Sequence, residues 1–396
     1  MPAPSPFHSR TSALCKSHEW RNWSGYIAAS TYEPTHDREY YAIRNSAGLI
    51  DVTPLFKYEI TGPDATRLVD RVITRNAAKC KIGQVMYTSW CDEEGKAIDD
   101  GTVSRLAKNH FRITAADPSL RWFEDCGFGM DVHVEDVSES LAALALQGPK
   151  SRDIVKQVVS GVDFDKLKFF HLAQGRIDDF PVTVTRTGYT GDLGYELWVK
   201  PRFAERMWDI LMEKGAGYGI SPAGMVALDI ARIEAGLLLI EVDYISSQKA
   251  LTEFRKSSPF EMGLGWTVRL KKGDFVGRKA LLEEKKRGSR WSFVGLEINW
   301  NELEKLFDAA DLPPLVAGRA SRSPVPVYKN GKQIGQATSS TFSPLLKKYI
   351  AMGMVESQHA RLGSKVEMEI TVEYSRHVAS ATIVKTPFFD PERKRA

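Results

Sequence analysis

Two stretches of one design decide the fold: KYEITGPDATRLVDRV at residues 57–72 and LALQGPKSRDIVKQVV at residues 144–159. Each runs from an apolar alternating segment through Gly-Pro, at Gly62-Pro63 and Gly148-Pro149, into a segment with helical spacing of apolar residues. Glycine lets a strand turn sharply, and proline is well placed in the first turn of a helix, where its missing N–H is no loss. Two strand-to-helix units built alike predict two related α+β lobes.

Outward from the first unit, MYTSWC, the polar turn DEEGK, AIDDGTVSRL, the turn AKNH and FRITAA read as a meander of strands. Beyond the second unit, FPVTVTRTG and YELWVK read as paired strands around a Gly-rich turn. PRFAERMWDILMEKG follows as a helix with Phe203, Met207, Ile210 and Leu211 on one face and Gly215 at its end. A further helix over residues 222–239 is apolar almost all round and so central. From about residue 285 the chain offers short strands, with Asn330-Gly331 a strong hairpin signal. A β-rich third lobe and little parallel sheet are expected. The polar N-terminal 35 residues, holding Trp20, Trp23 and Tyr26, are expected to drape over this body.

Bulk properties narrow the function. The 396 residues suit two or three packed units, and 43% hydrophobic with 26% charged residues is globular. Fifty-four basic against 50 acidic residues leave +4, which argues for neither nucleic acid nor a membrane surface. The basic runs at residues 283–287 and 393–395 read as solvated faces. Cys15, Cys80, Cys91 and Cys126 form no CxxC pair and have no His partner at metal-ligand spacing, so free thiols and a cytoplasmic location are expected. MPAPSPFHSR lacks the apolar core of a signal peptide, and the most apolar stretch, residues 225–240, is interrupted by Asp229, Arg232 and Glu234. No HExxH or GxSxG segment occurs, and His110, His133 and His171 are scattered.

Two places carry carboxylates that strands disfavour. Asp99 and Asp100 sit side by side in AIDDGTV, so alternation sends them to opposite faces; one of them, turned inward near Tyr87, needs a hydrogen-bond partner that a polar ligand can supply. The pair could equally finish the turn before it. The segment RTGYTGDLGYELWV spaces Gly188, Gly191 and Gly194 three apart, without the Gly-x-Gly step, the Lys-Ser/Thr pair or the following helix of a phosphate loop. There Tyr189 and Glu196 flank a tight turn. A strand glutamate so placed can accept two N–H bonds from a flat heterocycle bearing an amino group beside a ring N–H, or it can be a surface carboxylate.

The ordered series IRNSAGLIDVT, EITGPDA, MYTSWCDEEGKAIDD, LALQGPKS, RTGYTGDLGYEL, SPAGMVALDIARIEAGLLL, SPFEMGLGW, DFVGRKAL, QATSSTFSPLLKKYIAMGMV and KTPFFDP, from about residue 38 to 390, resembles the aminomethyltransferase family. That family includes the glycine cleavage T-protein and the tetrahydrofolate-dependent demethylases such as dimethylsulfoniopropionate demethylase. The resemblance implies an α+β, three-lobed ring: two related α+β lobes and a C-terminal β-barrel-like lobe around a central folate channel. Its expected divisions are residues 1–50 with 140–284, residues 51–139 carrying the acidic pair, and residues 285–396. It also implies tetrahydrofolate as cofactor and one-carbon transfer as activity. By the matching motifs, Asp100 faces the reacting part of the folate with Tyr87 beside it as the catalytic pair, Glu196 grips the pterin with Tyr189 nearby, and Phe170, Phe260 and Trp266 line the channel.

The departures speak to the donor. The T-protein usually has Ala-Arg-Asp where this chain has Ala227-Leu228-Asp229, and Gly-Gly where this chain has Gly95-Lys96. Its N-terminal Phe-Ala-Gly-Trp is replaced by WRNWSGYIAAS. These losses shift the expectation toward a methyltransferase or demethylase acting on a small methylated substrate: a sulfonium, a quaternary amine or a methyl ether. A lipoylated carrier protein would be a partner only if the chain is a T-protein. A folate-binding iron–sulfur assembly factor of the same fold carries Lys-Gly-Cys-Tyr-x-Gly-Gln, whereas the matching EVDYISSQKALTE here has no cysteine.

Overall fold

The computed structural model describes residues 2–314 and 318–396. The strand Ala142–Gln147 shows how the lobe built on the second Gly-Pro stretch folds. All six of its residues are buried, Ala142, Leu144 and Leu146 in one apolar cluster and Ala143 and Ala145 in another. A strand covered on both faces belongs to the middle of a sheet, and this one is central in a six-stranded sheet of order Leu172–Ile177, Phe180–Thr185, Gly194–Val199, Ala142–Gln147, Ala47–Asp51, Ile220–Pro222. Helices Ser151–Val158 and Ala204–Gly215 cover one face; Asp37–Asn45 and Met225–Glu234 cover the other.

The lobe built on the first Gly-Pro stretch is a five-stranded sheet of order Val85–Cys91, Ala97–Ala107, His110–Ala115, Phe56–Thr61, His133–Asp136, with helices Ala65–Val72 and Leu120–Cys126 on one face over Tyr58, Trp90, Phe111 and Ile113. Its other face carries Tyr87, Asp100 and Thr102, since Tyr87 pairs with Thr102 and Ser89 with Asp100. The third unit is a closed six-stranded barrel from Trp291–Ile298 to Ser375–Val384, plugged at one end by helix Trp300–Asp308 through Leu303 and Phe307. The Asn330-Gly331 hairpin forms, both residues with positive φ (52° and 75°) as a tight two-residue turn requires. Among the described residues the strands pair antiparallel except at Ile220–Pro222 with Ala47–Asp51 and at Ala3–Pro4 with Tyr26–Ala29; the isolated bridges Ile240 to Tyr244 and Ile245 to Lys256 are also parallel. The N-terminal segment folds as a small three-stranded sheet, and its Phe7 is fully buried against Trp208.

Two expectations need correction. The helix read over residues 222–239 is confined to Met225–Glu234, because Pro222 pairs in a sheet and the chain reverses at Gly236, where φ is +64°. The prolines of the two Gly-Pro steps stand ahead of the helices, which begin at Ala65 and Ser151. The glycines carry the turn, with φ of +117° at Gly62 and +131° at Gly148. No helix among the described residues is long and apolar enough to cross a membrane.

Candidate active site

Asp100 projects from the face of its sheet that no helix covers. Its carboxylate accepts from the Tyr87 hydroxyl at 2.5 Å through one oxygen and from the Tyr244 hydroxyl through the other. Tyr87 sits on the neighbouring strand, two residues from Ser89, the partner of Asp100, whereas Tyr244 lies 144 residues on in a turn after the central helix. Asp99 is fully buried and differently held: it accepts from the backbone N–H of Asp100 (2.7 Å), Ala116 (3.1 Å) and Asp117 (3.0 Å). It thereby closes the end of its strand onto the next. The two carboxylates were expected to be parted by alternation, yet the Tyr244 hydroxyl also lies 3.3 Å from Asp99. The physical reason is that Asp99 folds back onto the N–H of its own neighbour.

Burial, a cost for any charge, raises the proton affinity of both carboxyls, and for Asp99 the adjacent Asp100 charge raises it further; the Tyr244 and Tyr87 hydroxyls work against this at Asp100. Burial and the Asp100 charge together keep Tyr87 and Tyr244 protonated far beyond the usual phenol range. The arrangement is a partly exposed carboxylate between two neutral phenols. It can hold a cation or a developing positive charge and can exchange a proton through either phenol.

Tyr244 went unnoticed in the sequence because nothing local marks it. Its position is set by Asp243, which is buried and accepts from Arg232 (2.6 Å), the Leu239 N–H (2.9 Å), Thr338 (2.6 Å) and Ser339 (2.7 Å). Arg232 comes from the central helix and the two hydroxyls from the barrel, so three segments fix the residue before Tyr244. A tyrosine following an aspartate in EVDY was the only available signal.

The remaining expected residues are spread along the sheet faces. Glu196 shares its face with Trp198, opposite Tyr195 and Leu197, and one of its oxygens accepts from Thr187 (2.7 Å) and Thr185 (3.2 Å). Burial raises its proton affinity and those hydroxyls lower it. Its second oxygen takes no hydrogen bond from the protein among the described residues. The cavity beside it is walled by Thr102, Ser104, Arg112 and Thr114 of the five-stranded sheet and by Thr185 and Trp198 of the six-stranded one, so it lies where the two lobes meet. Tyr189 does not reach Glu196; its hydroxyl donates to the Leu238 carbonyl, which fastens the Gly-rich turn to the segment after the central helix. The glycines of that turn answer to Gln147: a Cβ at Gly188 or Gly194 would fall 1.9 Å or 2.3 Å from its buried side-chain oxygen. Gln147 in turn holds the loop by donating to the Thr187 carbonyl and accepting from Thr190.

Phe170, with φ +58°, joins the lobes through its backbone, donating to the Arg186 carbonyl and accepting from the Val85 N–H. Trp266 stacks on Tyr87 with ring centres 6.1 Å apart, and Phe260 packs behind it against Gly265. Tyr87, Asp100 and Trp266 therefore form one group; Glu196 stands apart in the inter-lobe cavity, and Tyr189 and Phe170 secure loops. Arg393, read as part of a solvated basic run, is instead paired with the buried Asp192 at 2.7 and 2.8 Å.

Comparison with known proteins agrees with this architecture. Residues 7–272 match the family model described as the GCVT N-terminal domain, and residues 315–390 match the glycine cleavage T-protein C-terminal barrel domain. A trimethylamine-oxide aldolase of Ruegeria pomeroyi is 37% identical over 369 residues, which is 90% of this chain; the chain spans only 43% of that relative's length. An aminomethyltransferase of Halothermothrix orenii is 34% identical over 374 residues, covering 93% of this chain and 95% of the relative. The crystal structure of the glycine cleavage system aminomethyltransferase T of Bartonella henselae superposes with a TM-score of 0.83 over 98% of this chain and 99% of its own, at 24% identity, and so shares the fold. The two lobes, the barrel and the family models over most of the chain agree: this protein belongs to the aminomethyltransferase family.

Proposed function

We propose that the chain moves a methyl group from a small methylated donor, a sulfonium, quaternary amine or methyl ether, to N5 of tetrahydrofolate in the cytoplasm. The observation that carries this reading is the Asp100 carboxylate, partly open and clamped by two phenols at the face where the lobes converge. The residues fit a reduced folate at the other end as well. One Glu196 oxygen is engaged by Thr185 and Thr187 and the second is free to accept from an aminopterin edge. Tetrahydrofolate supplies the nitrogen nucleophile that receives the carbon.

What the protein contributes follows from its own groups. Glu196 would fix the heterocycle, Tyr189 and Phe170 would hold the loops that border it, and Trp266 with Tyr87 would offer an aromatic wall to the reacting end. Asp100, ionised, favours a positive charge beside it, which suits a cationic donor and the nitrogen that becomes cationic on methylation. Methyl transfer between such partners needs in-line positioning and exclusion of water more than a strong acid. A neutral ether would need its leaving oxygen protonated; the Tyr87 or Tyr244 phenol could give that proton and regain one through Asp100, which would take up the proton N5 loses on methylation.

A second reading, a glycine cleavage aminomethyltransferase, is favoured by the relative that matches this chain along 95% of its length. Against it stands position 228. The leucine there is buried in the apolar cluster beside Tyr189, where the resemblance leads one to expect an arginine. The relative named for trimethylamine oxide supports a small methylated donor. A thermal-shift titration tests the folate claim: ligand at 100 times its Kd stabilises by about 2.7 kcal/mol, and Glu196→Ala should weaken binding at least a few-fold. A melting temperature indifferent to every reduced folate would sink the reading.

A further inference from the structure

The segment just before Tyr87's strand holds a cation that no carboxylate among the described residues pairs with. Arg75 is half-buried, donates weakly to the Tyr87 carbonyl at 3.4 Å and lies 5.7 Å from the Trp266 ring. No carboxylate lies within 4 Å of it or of Arg269 among the described residues. A guanidinium drawn halfway out of water normally takes an anionic partner. Here burial, and then the charge of Arg269, lower the proton affinity of Arg75, and only the Cys80 thiol acts the other way, with no carboxylate to offset them.

The place is built rather than incidental. The Thr74 hydroxyl lies 3.2 Å from that of Thr267, and the Arg269 N–H donates to the Thr74 carbonyl at 3.0 Å. The buried Lys272 ammonium donates to the Ile73 carbonyl at 2.6 Å and the Arg75 carbonyl at 2.8 Å. These bonds stitch two distant segments together and set Arg75 beside Trp266, a residue 53% exposed, with Arg269 near enough for its charge to act on Arg75. Lys272 is consumed in that task, while the two arginines keep their donors. Tyr87 links the spot to the reacting centre: its carbonyl meets Arg75, its ring stacks on Trp266 and its hydroxyl binds Asp100.

We infer that Arg75 and Arg269, next to the half-exposed Trp266, form a subsite for a ligand carboxylate, supplied by the glutamyl tail of the folate or by an acid group on the methyl donor. Guanidinium is the group best shaped for a carboxylate, and an adjacent aromatic face suits the apolar stem that carries one. The inference rests on the folate-dependent reading above and names what lies at the rim of that site.

Isothermal titration of the whole protein tests it with paired probes: tetrahydrofolate against 6-methyltetrahydropterin, which lacks the tail, and, with tetrahydrofolate present, betaine against choline. Circular dichroism confirms folding of each variant. Arg75→Gln should weaken a carboxylate-bearing probe about tenfold, and the exposed Arg269→Gln about threefold, with the probe lacking the carboxylate unchanged. Loss confined to tetrahydrofolate assigns the subsite to the tail; loss confined to betaine assigns it to the donor. Either supports the inference. If Arg75→Gln does not fold, Arg269→Gln decides alone, since the exposed Arg269 side chain makes no hydrogen bond among the described residues. Variants that bind tetrahydrofolate and betaine as the wild type does overturn the subsite and leave the folate reading standing. A wild type that takes up neither tetrahydrofolate nor betaine overturns both.

Discussion

At the scale of single residues, Asp100 and Asp99 should separate chemistry from architecture. Asp100→Asn keeps a side chain of the same shape but removes the charge, so turnover should fall by about a hundredfold, on the order of 3 kcal/mol, with little change in melting temperature. Asp99→Asn strikes the three backbone N–H bonds that close its strand. It should cost about 1–3 kcal/mol of stability while reducing turnover far less. Steady-state rates and thermal melts on both variants check this; equal, mild effects would mean the roles are misassigned. The pH profile gives the sign. Burial raises the Asp100 carboxyl, so activity that needs its ionised form is lost as pH falls through a value above the ordinary carboxylate range. The Asp100 charge is what raises Asp99 further, so Asp99 still holds its proton where Asp100 ionises and Asp99→Asn should leave that acid limb in place; a displaced limb contradicts this order. The acidic pair was visible in the sequence because aspartates are conspicuous in a strand. Tyr244 was not, because its reach to Asp100 exists only after a segment 144 residues away has folded back.

The two Gly-Pro turns carry the argument at the scale of elements. At Gly148 a Cβ would lie 2.6 Å from the Ser46 carbonyl oxygen and 2.8 Å from that of Ile43, and φ is +131°. Gly148→Ala must therefore push the strand Ala142–Gln147 away from the end of helix Asp37–Asn45, at a cost of roughly 3 kcal/mol or more. Chemical denaturation reads this directly, and a loss under 1 kcal/mol would show that the turn relaxes freely. The strand-turn-helix units, the meander and the Asn330-Gly331 hairpin were legible because each follows from local periodicity and turn chemistry. Helix ends were less so: the apolar run at residues 235–239 continues the helical pattern, but the turn at Gly236 comes from packing against Thr386 and Pro387, which no local window contains. Likewise Gly188 and Gly194 read only as residues of a tight turn, whereas the side chain they accommodate is Gln147.

Across the whole molecule, the barrel and the lobes are joined by buried charge. Arg232 donates to Asp229 (3.0 Å), Asp243 (2.6 Å) and the barrel hydroxyl of Ser339 (2.8 Å), and Asp243 positions Tyr244. Arg232→Met leaves Asp243 buried without its cation. It should lower stability by about 3–5 kcal/mol and, at temperatures where the protein stays folded, lower turnover by loosening Tyr244. An intact melting temperature with intact activity would contradict that link. The three-unit plan was foreseeable from repeated motifs and from resemblance, but the charged joint between units was not, since Asp243 and Ser339 are 96 residues apart and neither stands out in its own segment.

The most direct test of the account follows the carbon. Purified protein is incubated with tetrahydrofolate and, in turn, methylated sulfonium, quaternary ammonium and aryl ether donors, and the folate products are resolved by mass spectrometry. The account predicts 5-methyltetrahydrofolate from at least one small donor without any carrier protein, and about a hundredfold less with Asp100→Asn. Formation of 5,10-methylenetetrahydrofolate only when an aminomethylated lipoyl carrier is added, with no methyl product from any small donor, would contradict it.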